Sequence, residues 1–407
     1  MNLEAISQQS IRDAFERIRN DIVRTPITHS KTFSEMCGCQ VWFKLENLQM
    51  TGSFKERGAL NKLLSLDEAE RKRGVIAASA GNHAQAVAYH AMRLGISSKI
   101  VMPKHSPLVK ISSTKHWGAE VILEGETFDD AFRHSQELMK AENRVYLHPF
   151  DDPLVAEGQG TLALEILEDP KAEGLEAILV PVGGGGLING IATFVKSISP
   201  NIKIIGVEES TCTGMASSLA AGEVIEVAAQ PILADGIAVR KVGAANLKTV
   251  SQHVDHMVTV SSDEIANAVM LMLEIEKTVV EGSAAVTLAA LLNNKVPELA
   301  KMKTLSIISG GNIDVNVLSK IINRGLAFDG RVVKLSTIIP DRPGALEHIL
   351  GVFREYGANV LEIHHHRFSS EAPVGQVGVS VTLETRNSAH IDELKAVLIE
   401  RGYLMGA

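Results

Sequence analysis

From residue 40 to about residue 325, short β-branched runs alternate with helical stretches, and the runs are apolar almost without a break. They are Val75-Ile-Ala-Ala-Ser79, Ile100-Val-Met102, Val121-Ile-Leu123, Ile178-Leu-Val-Pro-Val182, Ile204-Ile-Gly-Val207 and Leu305-Ser-Ile-Ile308. A strand with one wet face alternates polar and apolar residues. These do not, so they read as parallel strands covered by helices on both faces. Helices are expected between them, at 83–94 and 187–197 for example. Ser261-Ser-Asp-Glu264 is a capping box opening a helix from Ile265 to Glu276. The pattern predicts an α/β fold built on open parallel sheets. With 407 residues the chain exceeds one ordinary core, so two or three domains are expected.

Three of the strands end in unusual turns. Ser79-Ala-Gly-Asn-His83, Gly183–Gly186 and Ser309-Gly-Gly-Asn312 each follow a strand, and each opens a helix. In open α/β sheets, ligands bind outside the carboxyl ends of the strands. Four consecutive glycines, Gly183, Gly184, Gly185 and Gly186, let backbone N–H groups approach a phosphate, and the helix that begins near Leu187 adds its positive end. Alone, such a run is more often a tight turn. The G-x-G-x-x-G spacing of a dinucleotide site, with its downstream acid, is not convincingly present. That disfavours a nicotinamide-dependent oxidoreductase.

A fourth segment, Thr51-Gly-Ser-Phe-Lys-Glu-Arg-Gly-Ala59, sets Lys55 among small residues and an aromatic. Most lysines at a helix start are surface residues. With the three turns, however, Lys55 completes the parts of a pyridoxal phosphate site: a lysine to hold the aldehyde, a phosphate cradle and a partner for the ring nitrogen. Lys55 would hold the cofactor and then act as base on the substrate Cα–H. Phe54 could pack beside the ring. Asn82 can bond the ring hydroxyl, although taken alone it is as readily a helix cap. Ser79, the Gly81 N–H, Asn82 and His83 could receive a substrate carboxylate. Ser309, a hydroxyl rather than a carboxylate, would leave the ring nitrogen unprotonated. The ring is then a milder electron sink, suited to β-elimination more than to transamination.

Composition excludes several classes. The formal net charge of −8 argues against non-specific binding to nucleic acid or anionic membranes. No apolar run approaches the length of a membrane span. The first twenty residues read as an amphipathic helix, without a signal-peptide core. Cys37, Cys39 and Cys212 make no disulfide framework, so a cytoplasmic location is expected. Cys37-Gly-Cys39 has no second ligand pair at a zinc-like spacing and reads as packed thiols.

Near residue 325 the pattern changes. Gly325-Leu-Ala-Phe-Asp-Gly330 reads as a linker, placed at 326–330. A strand at 332–339, a helix at about 345–356, strands at 358–368 and 375–384 and a helix at 388–402 follow. With a very short last strand, 331–407 is a βαββαβ ferredoxin-like domain. On its second strand His364 and His366 share a face, and a solvated strand is favoured over a metal site because no third ligand is near in sequence.

SFKERGA, SAGNHAQAVA, PVGGGGL and SGGN, in that order, resemble the PLP-dependent serine/threonine dehydratases of the tryptophan-synthase β-like group, fold type II. Arg24-Thr-Pro26, His148-Pro149 and Gly158-Gln-Gly-Thr161 fit the same family, so the resemblance spans roughly residues 15–325. It implies a catalytic domain at 1–325, with a small subdomain at about 51–150 inserted in a large one. It implies cofactor roles for Lys55, Asn82, the Gly183–Leu187 loop and Ser309. The activity implied is that of an L-threonine ammonia-lyase: elimination from L-threonine to 2-oxobutanoate and ammonia. L-Serine would be a second substrate, since one methyl discriminates only about 10–200-fold. A serine-preferring dehydratase, a 3-hydroxyaspartate dehydratase and a serine racemase are the rivals within the family. A non-catalytic amino-acid sensor is the rival from another class.

Two departures matter. Serine racemases carry a serine as base where this chain has Ala80, which disfavours racemisation. Their acidic metal site is matched at Glu208, but Cys212 and Gly214 follow, so no metal is expected. The tail resembles an ACT domain through Asp341-Arg-Pro-Gly-Ala-Leu346, with Asp341, Gly344 and Asn359 as candidate contacts for an amino-acid or nucleotide effector. A homodimer or homotetramer is implied.

Overall fold

The computed structural model describes residues 6–228, 232–367 and 372–405. It divides into two compact units, one ending at Asp314 and the other beginning at Val315.

The first unit holds two sheets. The larger has six strands, in the order Ile27–Ser30, Gln40–Leu45, Lys303–Ile308, Ala177–Pro181, Lys203–Glu209 and His256–Val260. Only Ile27–Ser30, at one edge, runs antiparallel to its neighbour. The smaller sheet is all parallel, in the order Glu120–Leu123, Ser98–Met102, Val75–Ala78 and Val145–Tyr146. All its strands fall, in sequence, between Gln40–Leu45 and Ala177–Pro181. The central strands Val75–Ala78 and Ala177–Pro181 are buried at every position, as continuous apolarity requires. His256–Val260 escapes that pattern because it is an edge strand, exposed at His256 and fully buried only at Val260. The capping box at Ser261 and Glu264 is formed, and it opens the helix Ser262–Ile275.

Helix packing in this unit depends on missing side chains. Helix Pro153–Glu168 lies against helices Lys55–Leu64 and Gly186–Ile198. A Cβ on Gly158 would stand 2.5 Å from the Arg57 carbonyl oxygen, and one on Gly190 would stand 2.4 Å from the Ala156 carbonyl oxygen. The backbones therefore meet directly, which sets the depth of the helix that begins at Lys55.

In the second unit, helix Val315–Phe328 precedes a four-stranded antiparallel sheet in the order Asn359–His366, Gln376–Glu384, Val332–Pro340 and Leu404–Met405. Helices Ala345–Tyr356 and Ser388–Glu400 complete the βαββαβ order. The last strand is indeed two residues long. Phe368, expected to end the second strand, lies outside the described residues, as do residues 1–5 of the expected first helix, which is formed over Gln8–Ile18. The stretch 326–330 is not a free linker: helix Val315–Phe328 runs through Gly325. A buried glycine inside a helix costs only about 1 kcal/mol. It is Gly330, at φ +68°, that turns the chain out of the helix, with Arg331 N–H donating to the Leu326 carbonyl at 2.8 Å.

Gly190→Ala should lower stability by about 1–3 kcal/mol, the usual cost of overfilling a packed contact. It would be read as a lower urea midpoint at constant slope. A loss near zero would mean that these helices can part without consequence.

Candidate active site

Lys55 is the first residue of helix Lys55–Leu64, with Phe54 at the cap position. The turn before the helix is pinned from outside. Phe54 N–H donates to the Ser309 carbonyl at 3.0 Å, Gly311 N–H donates to the Gly52 carbonyl at 2.9 Å, and Ser53 pairs with Gly310 in an antiparallel bridge. Two motifs more than 250 positions apart in the sequence thus form one structure. Lys55 Nζ donates to the Pro149 carbonyl at 2.9 Å and lies 5.2 Å from the centre of the Phe54 ring. Burial brings its amine down from 10.5 to about 8, against the charge of Glu281, which pulls it up. About one molecule in ten then carries the neutral amine at pH 7, far more than for an ordinary lysine, and the neutral form is what a nucleophile or base requires.

Beneath Lys55 lies an ion cluster that sequence reasoning missed. Arg57 is fully buried and donates to both oxygens of Glu46, at 2.7 and 2.8 Å, and to both oxygens of Glu165, at 2.7 and 2.9 Å. Lys44 Nζ joins at 2.7 Å from Glu165 Oε2 and donates to the Thr25 carbonyl at 2.7 Å. Burial, the largest single influence, would raise the Glu46 carboxyl, but the charge and hydrogen bonds of Arg57, with Lys44 and Thr25, together hold the group below its usual range. Two cations and two anions cancel, and the forked geometry satisfies both carboxylates.

The Gly183–Gly186 run follows strand Ala177–Pro181 and enters helix Gly186–Ile198, whose first turn has no side-chain cap. Gly185 sits at φ +93°, where a side chain would be strained. A Cβ on Gly184 would lie 2.3 Å from the Phe150 ring. Asn246, another residue without a sequence signal, holds the loop: its Nδ2 donates to the Gly184 carbonyl at 2.8 Å and to the Phe150 carbonyl at 3.1 Å. Phe150 follows Pro149, the acceptor for Lys55, so cradle and lysine share a support. The Leu187 side chain is buried in the core and offers only its N–H.

Ser79-Ala-Gly-Asn-His83 joins strand Val75–Ala78 to helix Asn82–Arg93, which also lacks a side-chain cap. Ser79 Oγ accepts from Gly81 N–H at 3.2 Å. The His83 side chain is turned elsewhere: it is buried, and its Nε2 pairs with the Leu147 carbonyl at 3.0 Å. Burial, helped by Lys55, takes its pKa down to about 3, so the ring is neutral. A neutral ring bound to a carbonyl is no charge partner for a carboxylate, which leaves the His83 backbone for that task. The amide of Asn82 lies between Asn312 Nδ2, at 2.9 Å from its Oδ1, and Glu281, whose Oε1 and Oε2 are 2.8 and 3.0 Å from its Nδ2. Glu281 was also missed. Its only hint was an acid directly before Gly-Ser-Ala-Ala. Ser309, buried, directly follows the strand Lys303–Ile308 and precedes Gly310, whose carbonyl accepts from Glu281 N–H.

The model for pyridoxal-phosphate dependent enzymes matches residues 18–310. The chain belongs to this family. It is 46% identical to the L-threonine ammonia-lyase of Thermotoga maritima over 398 residues, 98% of each chain. Among solved structures it is similar to the processed form of threonine deaminase isoform 2 from Solanum lycopersicum, with a TM-score of 0.74, 37% identity and coverage of 78% of this chain and 92% of that one. It is similar also to serine racemase from Dictyostelium discoideum, with a TM-score of 0.71 and 37% identity. That match takes in 99% of the racemase but 76% of this chain.

The residues fit the family's cofactor. A glycine cradle with no room for side chains, uncapped helix starts, the unpartnered buried hydroxyl of Ser53 and a lysine of lowered basicity are the donor set that an anionic aldehyde requires. Glu208 has both oxygens taken, by Met215 N–H at 2.8 Å and Ala216 N–H at 2.9 Å. Among the described residues no group of three or more His, Cys, Asp or Glu side chains could hold a metal ion, and no helix is long and apolar enough to cross a membrane.

The lowered basicity of Lys55 has a measurable sign. Only the neutral amine attacks an aldehyde, so capture of pyridoxal phosphate by the cofactor-free protein should quicken about tenfold per pH unit below pH 8 and level off above it. Stopped-flow absorbance would follow it. A rate still climbing beyond pH 9 would contradict the shift.

Proposed function

We propose that this chain is an L-threonine ammonia-lyase, converting L-threonine to 2-oxobutanoate and ammonia, with L-serine giving pyruvate more slowly. The observation that carries the reading is the likeness to the Thermotoga enzyme along nearly the whole of both chains. Bound pyridoxal phosphate would supply the electron sink that makes the substrate Cα–H acidic. Gly183, Gly184, Gly185, Gly186 and the Leu187 N–H would hold its anionic tail. Asn82 and Ser309 would meet its ring, and Phe54 would pack near it. Ser79, Gly81 and the first-turn N–H groups of Asn82 and His83 would orient the substrate carboxylate. Lys55, neutral in a fair fraction of molecules, would take the Cα proton, and the β-hydroxyl would leave with a proton.

A racemase reading has the Dictyostelium likeness in its favour. Against it stands Ala80, which has no proton to return from the opposite side. Replacement of this residue, Ala80→Ser, should raise D-serine formation by roughly ten- to a hundredfold, at or below the worth of a placed acid–base group. Chiral chromatography would report it, and unchanged racemisation would remove this basis for choosing the lyase.

The second unit we assign as a regulatory ACT-like domain at 331–407, carried by a cytoplasmic homodimer or homotetramer. Within one copy, Asp341 follows Pro340, whose register partner is Gln376, whereas Asn359 pairs with Glu384. Those ends of strand Gln376–Glu384 are roughly 26 Å apart at about 3.3 Å per residue. A single effector site using Asp341, Gly344 and Asn359 would therefore draw on two copies.

Threonine turnover by the purified holoenzyme, with and without isoleucine, tests both halves. Lys55→Ala should lose roughly 10³-fold or more of the rate. Undiminished 2-oxobutanoate formation by that variant would refute the mechanism, and indifference to isoleucine, valine and nucleotides would refute the regulatory assignment.

A further inference from the structure

The hydrogen bonds around Asn82 have only one direction available to them. Asn312 Nδ2 donates to the Thr51 carbonyl at 2.6 Å, and a carbonyl can only accept. Asn312 thus presents its amide nitrogen to Asn82, which must answer with Oδ1, at 2.9 Å. That turns Asn82 Nδ2 toward Glu281, where an ionised carboxylate can only accept. Obligate acceptors at both ends leave the Asn82 amide a single orientation.

Glu281 is itself built in. It is 4% exposed, its N–H donates to the Gly310 carbonyl at 3.1 Å, and Ser283 Oγ donates to its Oε1 at 2.7 Å. Space is kept for it: a Cβ on Gly310 would come within 2.7 Å of Oε1, and one on Gly236 within 2.6 Å of Ser283 Oγ. Burial raises the Glu281 carboxyl above its usual range, and the bonds from Ser283 and Asn82 pull it back toward the ionised form. The charged groups that act on it or feel it are Lys55, Asp235 and Lys110.

We propose that Glu281 is a positioning residue for the cofactor: it anchors the Nδ2 side of the Asn82 amide that Asn312 orients, holding that amide in place against the ring of bound pyridoxal phosphate, and it sets a negative charge beside Lys55. This rests on the assignment of Asn82 to the cofactor. No step of the reaction is asked of Glu281 itself. An amide at this position could accept from Asn82 at only one of its two atoms, and that bond would lose its charge, so the Nδ2 side of Asn82 would be held less firmly although Asn312 still sets its orientation.

The test is a titration of the cofactor-free protein with pyridoxal phosphate, for wild type, Glu281→Gln, Asn82→Ala and the double variant. Glu281→Gln should weaken binding about tenfold, the worth of one hydrogen bond to a charged group. In the Asn82→Ala background the same change should cost less than about twofold, because the two residues act as one. The pH midpoint for capture by Lys55 should fall below wild type in Glu281→Gln, since a charge that raises the amine is gone. Should Glu281→Gln fail to fold, Glu281→Asp keeps the charge on a shorter arm, and it should weaken binding while leaving that midpoint in place. Equal costs in both backgrounds, or wild-type affinity in Glu281→Gln, would overturn the proposal. Wild-type protein that does not bind the cofactor would instead sink the cofactor reading on which it rests, and that result precedes any substitution.

Discussion

The buried guanidinium of Arg57 is the point from which the site is built. Two residues beyond Lys55, it forks onto Glu46 at the end of one strand and onto Glu165 in helix Pro153–Glu168. Removing one member of such a cluster typically costs about 3–5 kcal/mol, because its partners stay buried and unpaired. That penalty makes the cluster a specification rather than a source of net stability. In the observed placement of the helix all four charges are paired, and Lys55 is presented at the Pro149 carbonyl.

Close backbone contact does the rest. Gly58 and Gly158 bring the lysine helix onto its neighbour, Gly190 seats helix Gly186–Ile198 against it, and Gly184 makes room for Phe150. Several glycines of the motifs therefore serve the protein's own packing as much as any phosphate. The Lys55 helix start, the cradle and the Asn82 turn belong to three elements, tied through the Pro149–Phe150 backbone and Asn312. Burial makes the site reactive as well as rigid, lowering both the Lys55 amine and the His83 ring.

Much of this was legible beforehand. All six apolar runs are strands, the capping box at Ser261 opens a helix, and the turns after Ala78, Pro181 and Ile308 converge at one end of the sheets. The misses have physical causes. His256–Val260 is an edge strand with a partly wet face, and Gly325 sits inside a helix where a breaker was expected. The His83 ring could have faced a ligand or the core, and only packing chose the Leu147 carbonyl.

By itself the order of residues determined the strand and helix periods, the places where the chain must turn without side chains, and which lysine could serve an aldehyde. Those properties depend on neighbours a few positions away, so they can be read along a line. Only the tertiary structure decided that Glu281 would meet Asn82 across 199 positions and that Arg57 would find Glu165 across 108. A buried charge must be paired wherever the fold delivers a partner, and nothing local announces which partner that will be.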